Sequence, residues 1–189
     1  MELNAIKKRV AKILDTERYE HSLRVADFAK ELAGIYNVDR EKAEIAALLH
    51  DVSRFMDRPQ MLKEAKKLNF NISPMEEIEP KLLHAPLSAN IAKNEFGIVD
   101  EEILSAIKLH TLGRPNMTDL EKIIYLADHA ESGRDYPGID NIRELAKKNL
   151  DQAIALSTSR TIQYLEERKL PIDQRTIETN QFYNLGEKT

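Results

Sequence analysis

Ala46-Ala47-Leu48-Leu49-His50-Asp51 reads as a buried helical turn that ends on an imidazole and a carboxylate. Burying such a pair without a partner is expensive. A divalent cation satisfies both groups at once, so the reading moves outward to other donors. His21 opens the stripe His21-Val25-Phe28-Leu32, spaced four, three and four. Asp128 follows the apolar run Ile124-Tyr125-Leu126-Ala127. His84 sits between Leu82-Leu83 and Ala85-Pro86, and His110 ends the stripe Ile103-Ile107-His110. Each donor lies on the apolar side of a different predicted helix, so all point inward. Taken singly, any of these histidines also reads as a core residue bonded to a backbone carbonyl. The set is more specific than its members. Mixed imidazole and carboxylate donors suit iron, manganese, zinc, nickel or cobalt better than calcium. A four-ligand set leaves positions for water and substrate. Water on such a centre becomes a nucleophile near neutral pH, which fits hydrolysis of phosphate esters and anhydrides. His129 points about 100° away from Asp128 on the same helix and reads as a surface residue, or one that supports a ligand from behind.

Helical periodicity continues on both sides of the opening run. Leu3, Ile6, Val10, Ile13 and Leu14 predict a helix over 2–15. Asp39 caps one over about 40–54. Ser73-Pro74-Met75-Glu76 is a capping box with proline at the first helical position, and Pro80 should end that short helix. Pro86 opens a helix that runs to Phe96 and stops at Gly97. Asp100 caps the next, and Thr118-Asp119-Leu120-Glu121 is a second capping box. One long helix is expected from about Asn141 to Arg168, stopped by Leu170-Pro171, and a short one near Thr176–Tyr183. Alternating strand patterns are absent. The expected fold is all-α: one domain over 1–189 with about eight to ten helices and a C-terminal tail at about 170–189.

Composition narrows the function classes. A chain of 189 residues is read as one domain and can bury roughly 70% of its unfolded surface. The net charge of −4 gives no basic excess for duplex nucleic acid. A small anionic substrate remains compatible, because local cations outweigh a mild overall charge. Without cysteine there are no disulfides, thiolate ligands or thiol nucleophiles. No uninterrupted apolar stretch approaches a membrane span, and Met1-Glu2-Leu3-Asn4 has no signal-peptide character. The expected location is cytoplasmic. Walker loops, dinucleotide fingerprints, His-Glu-x-x-His motifs, calcium loops and nucleophile elbows are absent from the sequence.

The order His21 … His50-Asp51 … Asp128 resembles the HD-domain superfamily of metal-dependent phosphohydrolases. His84 and His110 resemble the extra histidines of its two-metal or phosphate-handling members. Further segments narrow the likeness to the bacterial YqeK family of symmetrical dinucleoside tetraphosphate hydrolases. They are Arg18-Tyr19-Glu20-His21-Ser22, Leu82-Leu83-His84-Ala85-Pro86 and His110-Thr111-Leu112-Gly113-Arg114, with Gly133-Arg134-Asp135-Tyr136-Pro137-Gly138 and the closing Pro171-Ile172 and Thr176-Ile177. The resemblance spans nearly the whole chain. Ser53-Arg54 departs from the Ala-Lys expected in relatives.

This resemblance implies an HD-type helical domain whose tail closes a nucleotide site. It implies cleavage of diadenosine tetraphosphate into two ADP by metal-activated water. It names iron first as the metal, with manganese, cobalt, nickel or zinc as substitutes, in one or two ions. The metal set becomes His21, His50, Asp51 and Asp128, and the catalytic set Asp51, His84 and His110. Substrate contacts would come from Arg18, His21, Arg54, Asp57, His84, His110, Asp128 and Arg134, with Pro171, Ile172, Arg175 and Thr176 from the tail. The expected partner is a small-molecule nucleotide, with a homodimer left open and neither nucleic acid nor membrane involved. Two other readings stay open: another HD-type nucleotide phosphohydrolase, and a nucleotide-binding sensor with little turnover.

Overall fold

The apolar run Ala46–Leu49 lies at the centre of the molecule. The computed structural model describes residues 2–185. Ala43, Ala46, Ala47, Leu48 and Leu49 of α3 (Arg40–Leu49) expose no surface at all. The last turn of α3, Ala46–Leu49, is apolar on every side and must be covered on every side. Five helices do this: α1 (Leu3–Ile13), α2 (Thr16–Ile35), α6 (His84–Asn94), α7 (Glu101–Leu109) and α8 (Asp119–Ala130). Asp39 starts α3 by accepting from the N–H groups of Glu41 and Lys42. Glu44, buried on α3, meets Lys7 at 2.7 Å and Lys30 at 3.3 Å, which ties α1 and α2 to it.

The remaining elements flank this centre. α4 (Arg58–Lys67), α5 (Pro74–Ile78) and a 3-10 turn at Pro80–Leu83 form a side layer. Its small core joins Met61 and Ala65 to Leu83 and Leu87. α9 (Ile139–Ala146), α10 (Leu150–Glu167) and α11 (Gln174–Leu185) close the other side, where α10 packs against α8, α9 and α11. Regular structure among the described residues is helical throughout, as expected, in eleven α-helices where about eight to ten were expected. No described helix is long and apolar enough to cross a membrane.

Four segments differ from the sequence reading. α3 stops at Leu49 rather than near residue 54, and turns carry the chain to Met56. The long helix expected over 141–168 is two helices. Asn149 adopts extended backbone (φ −156°, ψ 109°), and its side chain accepts from Gln152 N–H to begin α10. α4 is additional. Asp57 and Gln60 form a reciprocal capping box there, with both bonds at 2.8 Å. α6 begins at His84, so Pro86 sits in its first turn, where a missing N–H costs no helical bond.

Candidate metal centre

Helix ends aim three of the four inward histidines. His50 follows the last residue of α3, His110 follows the last residue of α7, and His84 follows the 3-10 turn. Carbonyls at helix ends lack regular helical partners. Each of these rings donates Nδ1–H to the carbonyl three residues earlier: Ala47 at 2.6 Å, Ile107 at 2.7 Å, and Lys81. A carbonyl only accepts, so the ring proton sits on Nδ1 and Nε2 presents a lone pair. His21 lies inside α2 and uses a side-chain acceptor instead. Its Nδ1 donates to Glu131 Oε1 at 3.2 Å.

The four Nε2 atoms converge with two carboxylates. His21 Nε2 is 3.3 Å from His50 Nε2, and His84 Nε2 is 2.9 Å from His110 Nε2. Asp128 Oδ1 lies 3.0 Å from His21 Nε2 and 3.8 Å from His50 Nε2. The two oxygens of Asp51 face different pairs. Its Oδ2 is 3.8 Å from His50 Nε2, whereas its Oδ1 is 3.3 Å from His84 Nε2 and 3.9 Å from His110 Nε2. Three overlapping donor triads result, each with its ligand atoms within 4.8 Å of one another. Facing lone pairs at 2.9 Å repel unless a cation lies between them. The donor set therefore fits a metal, and Asp51 stands where it could bridge two.

Electrostatics agree with ligation. Burial pushes the His84 and His110 imidazoles down to about 4 and lowers His50 as well. All three are neutral at pH 7, as ligands must be. Burial by itself would raise both carboxyls. The surrounding imidazoles, His50 first for Asp51 and His21 first for Asp128, hold them below the usual carboxylate range. Guanidinium groups complete the environment. Arg18 reaches Asp51 at 3.1 Å and Arg134 reaches Asp128 at 2.7 Å.

The cluster floors a cleft of about 380 Å³ rimmed by Arg18, Arg24, Arg54 and Arg134. A larger cavity of about 730 Å³ opens beside it, walled by Phe70, Leu82, Pro86, Leu104, Leu112 and Arg175. Thr111 lines both. Its Oγ1 lies 3.1 Å from His84 Nε2 and 3.2 Å from His110 Nε2.

Residues 18–133 match the family model for the HD domain, a span that contains every donor above. The chain belongs to the HD-domain family. It is 39% identical to the symmetrical bis(5'-nucleosyl)-tetraphosphatase of Staphylococcus aureus, covering 96% of this chain and 94% of that protein. It is also 39% identical to the enzyme of the same name from Bacillus subtilis, covering 88% and 89%. Its fold superposes with a TM-score of 0.94, at 36% identity, on the crystal structure of a "predicted HD superfamily hydrolase involved in NAD metabolism" from Clostridium acetobutylicum. That match covers 100% of this chain and 99% of the other.

Within this HD domain the expected donors His21, His50, Asp51 and Asp128 come together, and His84 and His110 join them. Arg18, Arg54 and Arg134, expected among the substrate contacts, line the cleft. Asp57, also expected among the substrate contacts, is exposed and lines neither cavity, and its carboxylate is engaged in starting α4. Arg175 lines the larger cavity, but Glu76 at 3.0 Å and Asp173 at 2.6 Å hold its guanidinium. Thr176 is buried, with its N–H bonded to the Asp173 carbonyl at 3.0 Å. Pro171 is exposed and Ile172 half-buried, and neither is in the wall of either cavity. The last four residues of the expected tail, 186–189, lie outside the described residues. His129 is half-buried rather than a surface residue. It stacks on Tyr125 with ring centroids 4.3 Å apart and lines the cleft.

Three residues of the site escaped the sequence reading: Arg24, Thr111 and Glu131. Each had a positional signal. Arg24 lies one helical turn after His21, Glu131 one turn after Asp128, and Thr111 directly after His110.

Proposed function

We infer that this chain hydrolyses dinucleoside tetraphosphates symmetrically, releasing two nucleoside diphosphates. One observation carries the reading: 39% identity, over 96% of the chain, to an enzyme named for that activity. The chemistry of the site agrees with it. His21, His50, Asp51 and Asp128 would hold a metal ion, which would supply Lewis acidity and make water more acidic. Iron is our choice for that ion because the likeness to the YqeK family implies it; the donor set by itself suits manganese, cobalt, nickel or zinc as well. Arg18, Arg54 and Arg134 neutralise the polyphosphate and hold it in line, and positioning with charge neutralisation is most of what phosphoryl transfer needs. His84 and His110 keep their single ring protons on backbone carbonyls. They therefore act as acceptors or ligands in this reading, rather than as proton donors to the leaving oxygen. The larger cavity takes one nucleoside, with Thr111 at the passage to the cleft and Arg175 in its wall. Symmetrical products require that a nucleoside seated there set the central anhydride, and not an outer one, over the cluster.

The test is product analysis. Metal-stripped protein is reloaded with ferrous iron, incubated with diadenosine tetraphosphate, and the nucleotides are separated by ion exchange. ADP as the sole product supports the reading. ATP together with AMP overturns the symmetrical assignment, and tight ADP binding without turnover marks a sensor instead.

A further inference from the structure

Glu131 is buried, with 2% of its surface exposed, and it caps the C-terminal end of α8. Both features count against a carboxylate. Burial costs it hydration, and a helix C-terminus is the negative end of the dipole. The carboxylate is nevertheless fully engaged. Oε1 accepts from His21 Nδ1, and Oε2 accepts from Arg24 Nε at 2.7 Å and from the Gly133 N–H. His21 is the inward histidine that needs such a partner, because it sits inside α2 and not at a helix end. Asp128 and Glu131, one turn apart on α8, hold opposite edges of its ring at 3.0 and 3.2 Å.

We propose that Glu131 is the positioning residue for the metal centre: it fixes the ring orientation and tautomer of His21 so that Nε2 faces the cation. The other three rings take this restraint from neutral carbonyls. A carboxylate on Nδ1–H also makes the imidazole a stronger electron donor. His21 is the ligand aimed from farthest away in sequence. Arg24 and the Gly133 N–H keep Glu131 charged and in place, and neither is bonded to the cluster.

This inference rests on the metal reading of the cluster. The test uses the full chain, stripped of metal and titrated with Co²⁺, with visible absorption as the readout. Wild type is compared with Glu131→Gln, Glu131→Ala and Arg24→Gln. Wild type that takes up no cobalt removes the metal reading itself. Given uptake by wild type, Glu131→Ala should weaken cobalt binding by roughly 10–100-fold and shift the ligand-field bands. Glu131→Gln, which can still accept from Nδ1–H but carries no charge, should lose less. Arg24→Gln removes one of the two anchors of Glu131 and leaves its bond to His21 and the Gly133 N–H, so it should lose less than Glu131→Ala. Wild-type affinity and bands in both Glu131 variants overturn the proposal. So does a loss in Arg24→Gln equal to that in Glu131→Ala, which would mark a packing role. Should Glu131→Ala fail to fold, Glu131→Gln decides: weaker binding at an unchanged urea midpoint supports the proposal, and unchanged binding overturns it.

Discussion

Asp51 is shared between the two histidine pairs, with one oxygen toward His50 and the other toward His84 and His110. Asp51→Asn keeps its shape and removes the charge that both donor sets use. Metal content by elemental analysis should collapse. Turnover should fall by several kcal/mol of transition-state stabilisation, on the order of 10²–10³-fold. Arg54 has a different task. It stands 3.9 Å from Asp51 on the rim of the cleft. Arg54→Gln should raise KM about tenfold, as expected for loss of a charge-assisted hydrogen bond to phosphate, and should flatten the salt dependence of KM. Steady-state kinetics at two ionic strengths checks this. The six donors were legible in the sequence because each polar group interrupts or ends an apolar helical run, where solvation cannot explain it. Glu131 was not, because Glu131-Ser132-Gly133-Arg134 reads as an ordinary polar loop. Its burial comes from Arg24 and His21, more than a hundred positions earlier.

Helix starts were the most legible feature at the next scale. Asp39, Ser73, Asp100 and Thr118 all cap as read, because the bond from cap side chain to N–H is local. Asp57 shows the limit of that logic. In the sequence its carboxylate reads only as a substrate contact, and its role as a cap shows once Gln60 is placed against it. The division between α9 and α10 was hidden for another reason. Ile142, Leu145, Leu150 and Ile154 continue an apolar pattern across the break, with no proline or glycine to mark it. Asn149 makes the break, so Asn149→Ala should destabilise the protein by about 1 kcal/mol. A lowered urea midpoint with unchanged turnover is the expected outcome, since Asn149 is exposed and lines neither cavity.

For the whole molecule, the centre is a joint among five segments: α2, the end of α3, the start of α6, the end of α7, and α8. A cation there adds a link among helices that already meet through packing and a few ion pairs. At a metal concentration a hundredfold above Kd, binding adds about 2.7 kcal/mol to stability. That should raise Tm by roughly 5–10 °C for a domain of this size. Circular dichroism suits the measurement, because the chain is helical and has no tryptophan. Asp51→Asn should show no such rise.

The tethering of His50, His84 and His110 to carbonyls three residues behind them reaches further. The direction of each ring is a property of its own few backbone atoms, whereas the gap between rings depends on how α3, α6 and α7 lie together. Swelling of the interior would therefore spread the rings apart without turning them. Ion affinity becomes a gauge of helix spacing, and a loosened interior such as that of Leu48→Ala would release its cation while the helices themselves still stand.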